Sequence, residues 1–237
     1  MGLLNDPKLE AFLDALHAQS AGEQHAIEDY FHRRIQDGTS SWDGFDARTN
    51  AFFADKMVAL EKDKAEFCYA LCRALGARRI VECGTSFGVS TLYLAAAVRD
   101  NAAASKASNE GVGDGQSGGT VFATEYEPEK ARIARRNFAT AGLASYIDLR
   151  EGDLKDTLKV IDGPVDFVLL DIWTEAVLPA MRALAPHLRR RAVVIADNTV
   201  SARRGYAAYF AFVADPANRL RSMTLPFAGG LEMTIRL

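Results

Sequence analysis

Residues 79–91 read RIVECGTSFGVST, and the fold is decided there. A short β-branched run gives way to a glycine-bounded turn, Gly84-Thr85-Ser86-Phe87-Gly88, and helical spacing begins at Val89. Strand, turn and helix start follow one another with nothing between. The same rhythm continues along the chain. Strands are expected at 79–83, 120–125, 146–150, 165–171 and 192–197, with helices near 88–99, 128–141, 154–161 and 176–188. Pro128 suits a first helical turn and Gly142 a helix end. Apolar strands alternating with amphipathic helices specify a parallel sheet covered on both faces. Runs at 220–225 and 231–237 are separated by only five residues, so they should pair as an antiparallel hairpin at the sheet edge. The expected fold class is therefore α/β: a doubly wound, mostly parallel seven-stranded sheet with an antiparallel C-terminal hairpin.

N-terminal helices precede it, over residues 1–75. Asp6-Pro7 is a cap followed by proline in the first turn, and Leu9, Phe12, Leu13 and Leu16 keep helical spacing. Ser20 and Glu23 suggest a capping box opening a second helix, with Ile27, Tyr30, Phe31 and Ile35 as its stripe. Residues 37–44 read as a loop. Helices over 47–58 and 62–75 follow, the last closed by Gly76. Residues 101–119, rich in Gly, Ala, Ser and Asn, read as a flexible surface insertion. The whole is expected to be one domain, 1–237.

The 237 residues are 49% hydrophobic and 25% charged, with net charge −3. That charge argues against a nucleic-acid partner. Arg132, Arg135 and Arg136 look like a solvated helix face, and Arg189, Arg190 and Arg191 like a turn. No stretch approaches the roughly 20 apolar residues of a membrane helix, and the start lacks a signal-peptide pattern. Three cysteines without metal spacing read as reduced thiols, which suits a cytoplasmic location.

Ligands of open parallel sheets bind at the carboxyl ends of the strands. Acids gather there: Glu82, Glu125, Asp153 just after Gly152, Asp171 and Asp197. Five on one edge call for a cationic or hydroxyl-rich ligand, or a metal. The turn 84–88 is not GxGxxG. Glu125 lies where ribose hydroxyls are held, and is alternatively a solvated strand end. Asp153 could accept from an adenine amino group or cap the next helix. Asp171, Asp197 and the amide oxygen of Asn198 are hard oxygen ligands that suit Mg²⁺ or Ca²⁺; Asp197-Asn198 could also be only a turn.

From residue 56 to the end, the sequence resembles the cation-dependent O-methyltransferases, the group of catechol and caffeoyl-CoA O-methyltransferases. The resemblance is carried by VECGTSFGVST (81–91), ATEYEPEKARIARRNFATAGL (123–143), FVLLDIW (167–173), VVIADN (193–198) and LPFAGGLEMTIRL (225–237). It implies a Rossmann-like domain that binds S-adenosylmethionine and, with Mg²⁺ or another divalent cation, methylates a hydroxyl of a small phenolic or catechol-like acceptor. Gly84, Ser86 and Ser90 would line the methionine and ribose side, with Glu82, Gly88 and Gly152 in the same set. Glu125 would hold the ribose, Tyr126 would pack beside adenine and Asp153 would meet its edge. Asp171, Asp197 and Asn198 would hold the metal, and Trp173 would wall the acceptor pocket, to which Trp42, Phe45 and Tyr206 are further aromatic candidates. A homodimer is implied as well. One departure stands out. The family's catalytic lysine, three residues after the first metal aspartate, is Thr174 here, which cannot serve as that base. Glu175 is the adjacent substitute, and Asp171 the third catalytic candidate.

Three other readings compete. Gly84-Thr85-Ser86-Phe87-Gly88 formally matches the serine-hydrolase elbow, with Asp171 and His187 in hydrolase order. A doubly wound sheet could serve a nicotinamide dehydrogenase. The loss of the lysine fits a catalytically drifted protein that only binds S-adenosylmethionine.

Overall fold

The computed structural model describes residues 2–38, 46–107, 118–161 and 163–237. Seven strands form one sheet: β1 (Arg79–Cys83), β2 (Thr120–Glu125), β3 (Ile147–Glu151), β4 (Val165–Leu170), β5 (Leu188–Asp197), β6 (Leu220–Leu225) and β7 (Leu231–Arg236). Their order is β3-β2-β1-β4-β5-β7-β6. The first five are parallel, and β7 runs antiparallel to both β5 and β6. The chain leaves β1 toward β2 and later returns to β4 on its other side, so the strand order reverses between β1 and β4. A ligand crevice belongs at such a switch point.

Strand residues alternate between two cores. Ile80, Phe167, Leu169, Val193 and Ile195 face a layer that includes α1 (Pro7–Gln36), α3 (Lys62–Ala74), α4 (Val89–Ala107) and α5 (Pro128–Thr140). Val81, Cys83, Val168, Leu170, Val194 and Ala196 face α7 (Thr174–Leu184) and α8 (Ala207–Ala214). Helices cover both faces, as the apolar strands require.

Several local expectations change. Residues 7–36 form one continuous helix, not two. Ser20 caps nothing; its hydroxyl donates to the Met57 carbonyl (3.1 Å) and accepts from the Ala59 N–H (3.1 Å). The helix expected at 47–58 stops early, as α2 (Ala47–Phe53). Residues 57–60 instead run as a strap, with Met57 and Leu60 buried and Val58 exposed, and Ser20 ties it to α1. The helix expected over 154–161 is the single turn α6 (Leu154–Thr157).

The first part of the expected insertion is ordered. α4 continues through Ala107 because Asn101 is locked into the core, its amide donating to the Cys72 and Ala77 carbonyls at 3.0 and 2.9 Å. The remainder of that insertion, 108–117, and the loop from 39 onward, with Trp42 and Phe45, lie outside the described residues. β5 starts at Leu188, so the Arg189–191 run is strand rather than turn, and Arg189 pairs with Asp166. α8 was not foreseen, because AAYFAFVA is apolar nearly throughout and carries no helical period. Among the described residues no helix is long and apolar enough to cross a membrane.

Two glycines with positive φ separate a packing constraint from a purely conformational one. A Cβ on Gly84 (φ +94°) would lie 2.0 Å from the Asp171 carbonyl oxygen, whereas one on Gly142 (φ +68°) would meet nothing within 4 Å. Gly142→Ala is expected to cost about 1 kcal/mol, the left-handed strain alone. Gly84→Ala should cost at least about twice that, because backbone would have to move as well. Urea unfolding of the two variants checks the order; equal losses would show that β1 and β4 are not in close approach here.

Candidate functional site

The site is built on the turn after β1. Glu82 is fully buried, and three hydroxyls converge on its carboxylate. Ser90 donates to it at 2.7 Å, Thr85 at 3.1 Å, and Thr91 also donates. Glu82 therefore braces the turn from behind. Ser90, assigned to the cofactor from the sequence, spends its hydroxyl on this brace. Burial pushes the Glu82 carboxyl up to about 7, the three hydroxyls offsetting part of that effect. Gly88 serves packing: a Cβ there would sit 2.3 Å from the Phe138 ring.

Glu125, at the end of β2, faces the front of the turn. One carboxylate oxygen accepts from the Ser86 N–H at 2.6 Å, the other from the Glu127 N–H at 2.9 Å. Burial raises its pKa, and the backbone donors and Lys130 work against the rise. Ser86 holds φ at +49°, and its buried hydroxyl has no hydrogen-bond partner among the described residues. A cavity of about 10 Å³ lies beside it, lined by Met57, Ala59, Gly84, Ser86, Ser90 and Asp171. That is room for one water, because the strap 57–60 lies over the turn. Tyr126, 64% exposed, stands next to Glu125. The Gly152 N–H donates to the Glu125 carbonyl at 2.9 Å. Asp153 caps α6, accepting from the Lys155 N–H at 2.8 Å, so its capping role is observed.

The acids of β4 and β5 have a partner that the sequence reading missed. Lys64 of α3 is fully buried, and its ammonium lies 2.6 Å from Asp197 Oδ1 and 2.8 Å from Glu61 Oε2. Burial disfavours its charge, but Asp197 and Glu61 outweigh that and raise its pKa. The other Asp197 oxygen accepts from the Asn198 side-chain amide at 2.9 Å, and the Asp197 carbonyl accepts from Tyr206 Oη at 2.7 Å. Tyr206 is thus a buried strut and not a pocket wall. Burial, then the charges of Asp197, Glu61 and Glu82, hold the Asp171 carboxyl well above the usual carboxylate range. Asp171 itself follows β4, its N–H donating to the Cys83 carbonyl at 3.0 Å.

The trio Asp171, Asp197 and Asn198 does not fit a divalent ion as arranged. Both Asp197 oxygens are engaged by nitrogen donors. The Asn198 amide oxygen lies 3.4 Å from Ser201 Oγ and against Gly229. No group of three or more His, Cys, Asp or Glu with metal-holding geometry occurs among the described residues. Mg²⁺ wants near-ideal octahedral oxygen coordination, and the place beside Asp197 is filled by an ammonium.

Thr174 and Glu175 open α7. Glu175 is exposed, and Thr174 packs on Gly205, where a Cβ would come within 2.5 Å of its hydroxyl. Trp173 meets Phe53 edge-to-face at 5.3 Å, and Tyr30 stacks on Phe52 at 4.0 Å beside them. His187 precedes β5, at the strand end opposite Ser86, which removes the hydrolase triad.

A signal for Lys64 was present. Lys64, Cys68 and Cys72 occur at i, i+4, i+8, so a charge stands on an apolar stripe and needs a buried partner. Glu82 carries a test. Its folded pKa of about 7 exceeds the ordinary 4.5, so the stability it contributes is complete below about pH 4.5 and is lost as pH rises through about 7. Roughly 3 kcal/mol is at stake over that window. Glu82→Gln should flatten the fall in melting temperature between those pH values; an unchanged slope would mean that Glu82 ionises normally.

A methyltransferase-domain family model matches residues 81–199, half of the chain. The catechol O-methyltransferase of Mycobacterium tuberculosis is 31% identical over 144 residues, covering 60% of this chain and 58% of that protein. That of Niastella koreensis is 27% identical over 151 residues, covering 60% and 59%. The chain thus spans less than two thirds of these relatives. Among solved structures, a Bacillus cereus O-methyltransferase in complex with SAH superposes with a TM-score of 0.65 at 21% identity, over 94% of this chain and 100% of that one. TomG of Streptomyces achromogenes, an O-methyltransferase in complex with SAM, gives 0.61 at 20% identity, over 88% and 97%. At these identities the likeness shows a shared fold. By the match over its central half, the chain belongs to the methyltransferase-domain family.

Proposed function

We propose that the protein is an S-adenosylmethionine-dependent O-methyltransferase that acts on a hydroxyl of a small, phenolic or catechol-like acceptor. One observation carries the reading. At the switch point of the sheet, the glycine turn carries the buried hydroxyl of Ser86, which has no hydrogen-bond partner among the described residues, and the fixed carboxylate of Glu125 faces that turn. A nucleoside bearing an amino-acid tail offers groups for both. The curated relatives over this region, which are catechol O-methyltransferases, support the acceptor class.

When bound, S-adenosylmethionine supplies an electrophilic methyl group on a sulfonium. The chain's own residues do the rest. Glu125, immobilised by two backbone N–H donors, accepts from the ribose hydroxyls with its remaining lone pairs. Gly84 and Ser86 line the tail side, braced through Glu82, Ser90 and Gly88. Tyr126 offers an exposed ring beside the adenine, with Gly152 and Asp153 at its edge. Trp173, set against Phe53, walls the acceptor side. Asp171 is the one of the three catalytic candidates that lines the cavity with Ser86, so it is assigned to the acceptor hydroxyl ahead of Thr174 and Glu175. No step is assigned to a divalent ion, since the donors at Asp197 and Asn198 are already committed. Three buried free thiols suit a cytoplasmic protein, and we take it to act as a homodimer without nucleic acid.

Calorimetric titration with S-adenosylhomocysteine, with NAD as control, tests the cofactor. Binding should raise the melting temperature by mass action. Glu125→Ala should weaken it by about tenfold to a hundredfold, the loss of charged hydrogen bonds worth roughly 1.5–3 kcal/mol. No heat and no thermal shift at saturating ligand would sink the reading. If the cofactor binds but a catechol panel shows no turnover at any pH, the acceptor class falls and the cofactor assignment stands.

A further inference from the structure

Lys64 has no role in the reading above, yet it is a fully buried charge. Its side chain is fully buried, 133 residues in sequence from its partner Asp197. A buried ammonium is tolerated only with close anionic partners, and this one has two, Asp197 at 2.6 Å and Glu61 at 2.8 Å. Asp171 and Glu82 contribute to the same field. The ammonium therefore lies among the carboxylates that the sequence pattern offers to a divalent cation. The two occupants exclude each other: they compete for Asp197 Oδ1, and a dication within a few ångströms of a buried ammonium is strongly repelled where the dielectric is low.

We infer that Lys64 is the resident cation of this site: its ammonium neutralises Asp197 at the end of β5 together with Glu61, and the site takes no divalent metal. Lys64 acts here as a positioning residue. It holds Asp197 in place, and through α3 it holds the strap 57–60 that covers the glycine turn. The inference deepens the methyltransferase reading, but its metal half concerns the carboxylates alone and stands or falls without it.

The test uses Mn²⁺ alone as probe, followed by its electron paramagnetic resonance signal. Wild-type protein should leave the free-ion signal intact up to about millimolar concentration, the weak limit of dedicated oxygen-ligand sites. Lys64→Ala, which frees Asp197 and Glu61, should gain Mn²⁺ binding by at least about tenfold, and adding Asp197→Asn should remove the gain, as expected when a ligand is lost. Micromolar Mn²⁺ binding by the wild type would overturn the inference, as would a folded Lys64→Ala protein with no gain. If Lys64→Ala does not fold, the wild-type titration decides alone. S-adenosylhomocysteine titrated into the same wild-type sample separates the two failures: absent binding there counts against the methyltransferase reading and leaves the Mn²⁺ result untouched.

Discussion

The ion pair between Lys64 and Asp197 joins the two halves of this molecule. On one side is α3, part of the helical layer that precedes the sheet; on the other is the carboxyl end of β5. Removing one partner of such a buried pair typically costs about 3–5 kcal/mol, a large share of a domain's stability. The strap 57–60 leads directly into α3, and it lies over the turn that follows β1. This buried contact ties the helical layer to the strand ends. Ser20 sets the same strap from the other side, through two hydrogen bonds to its backbone.

Behind the turn the constraint is of another kind. Glu82 takes three hydroxyl donors in a fully buried place, so Thr85, Ser90 and Thr91 are fixed by one acceptor. The neighbouring Gly84 brings the β1 backbone against that of Asp171. A carboxylate brace and a missing side chain together make the turn rigid. Glu125 then faces it with both oxygens already tethered. Such preorganisation leaves little motion to be frozen when a ligand binds, beyond opening of the strap.

The sheet was legible in the sequence because its strands are apolar and its punctuation is sharp. Pro128 and Gly142 bracket α5 as expected, and β1, β2 and β6 match the expected bounds. Two of the errors are tertiary contacts overriding a local signal, and a third is a missing signal. Ser20 looks like a cap and is a clamp for residues 57–59. Asn101 looks like the start of a loose insertion and is a plug between α3 and β1. α8 has no polar face to give it a period. At the site, the acids at the strand ends were readable from position alone, and Asp153 takes the capping alternative. What no spacing rule near Asp171 or Asp197 could show was a lysine arriving from 133 residues away. Only its place on an apolar stripe hinted at a buried partner.

The position of β7 has a further consequence. This strand, residues 231–236, is not at the sheet margin; it lies between β5 and β6. During synthesis from the N-terminus, β5 is complete some 34 residues before β7 begins, at roughly two to seven seconds of elongation. Until β7 docks, the outer edge of β5 is unpaired backbone, open to pairing with another strand. The order of the sheet places its aggregation hazard in the interval before its last strand arrives.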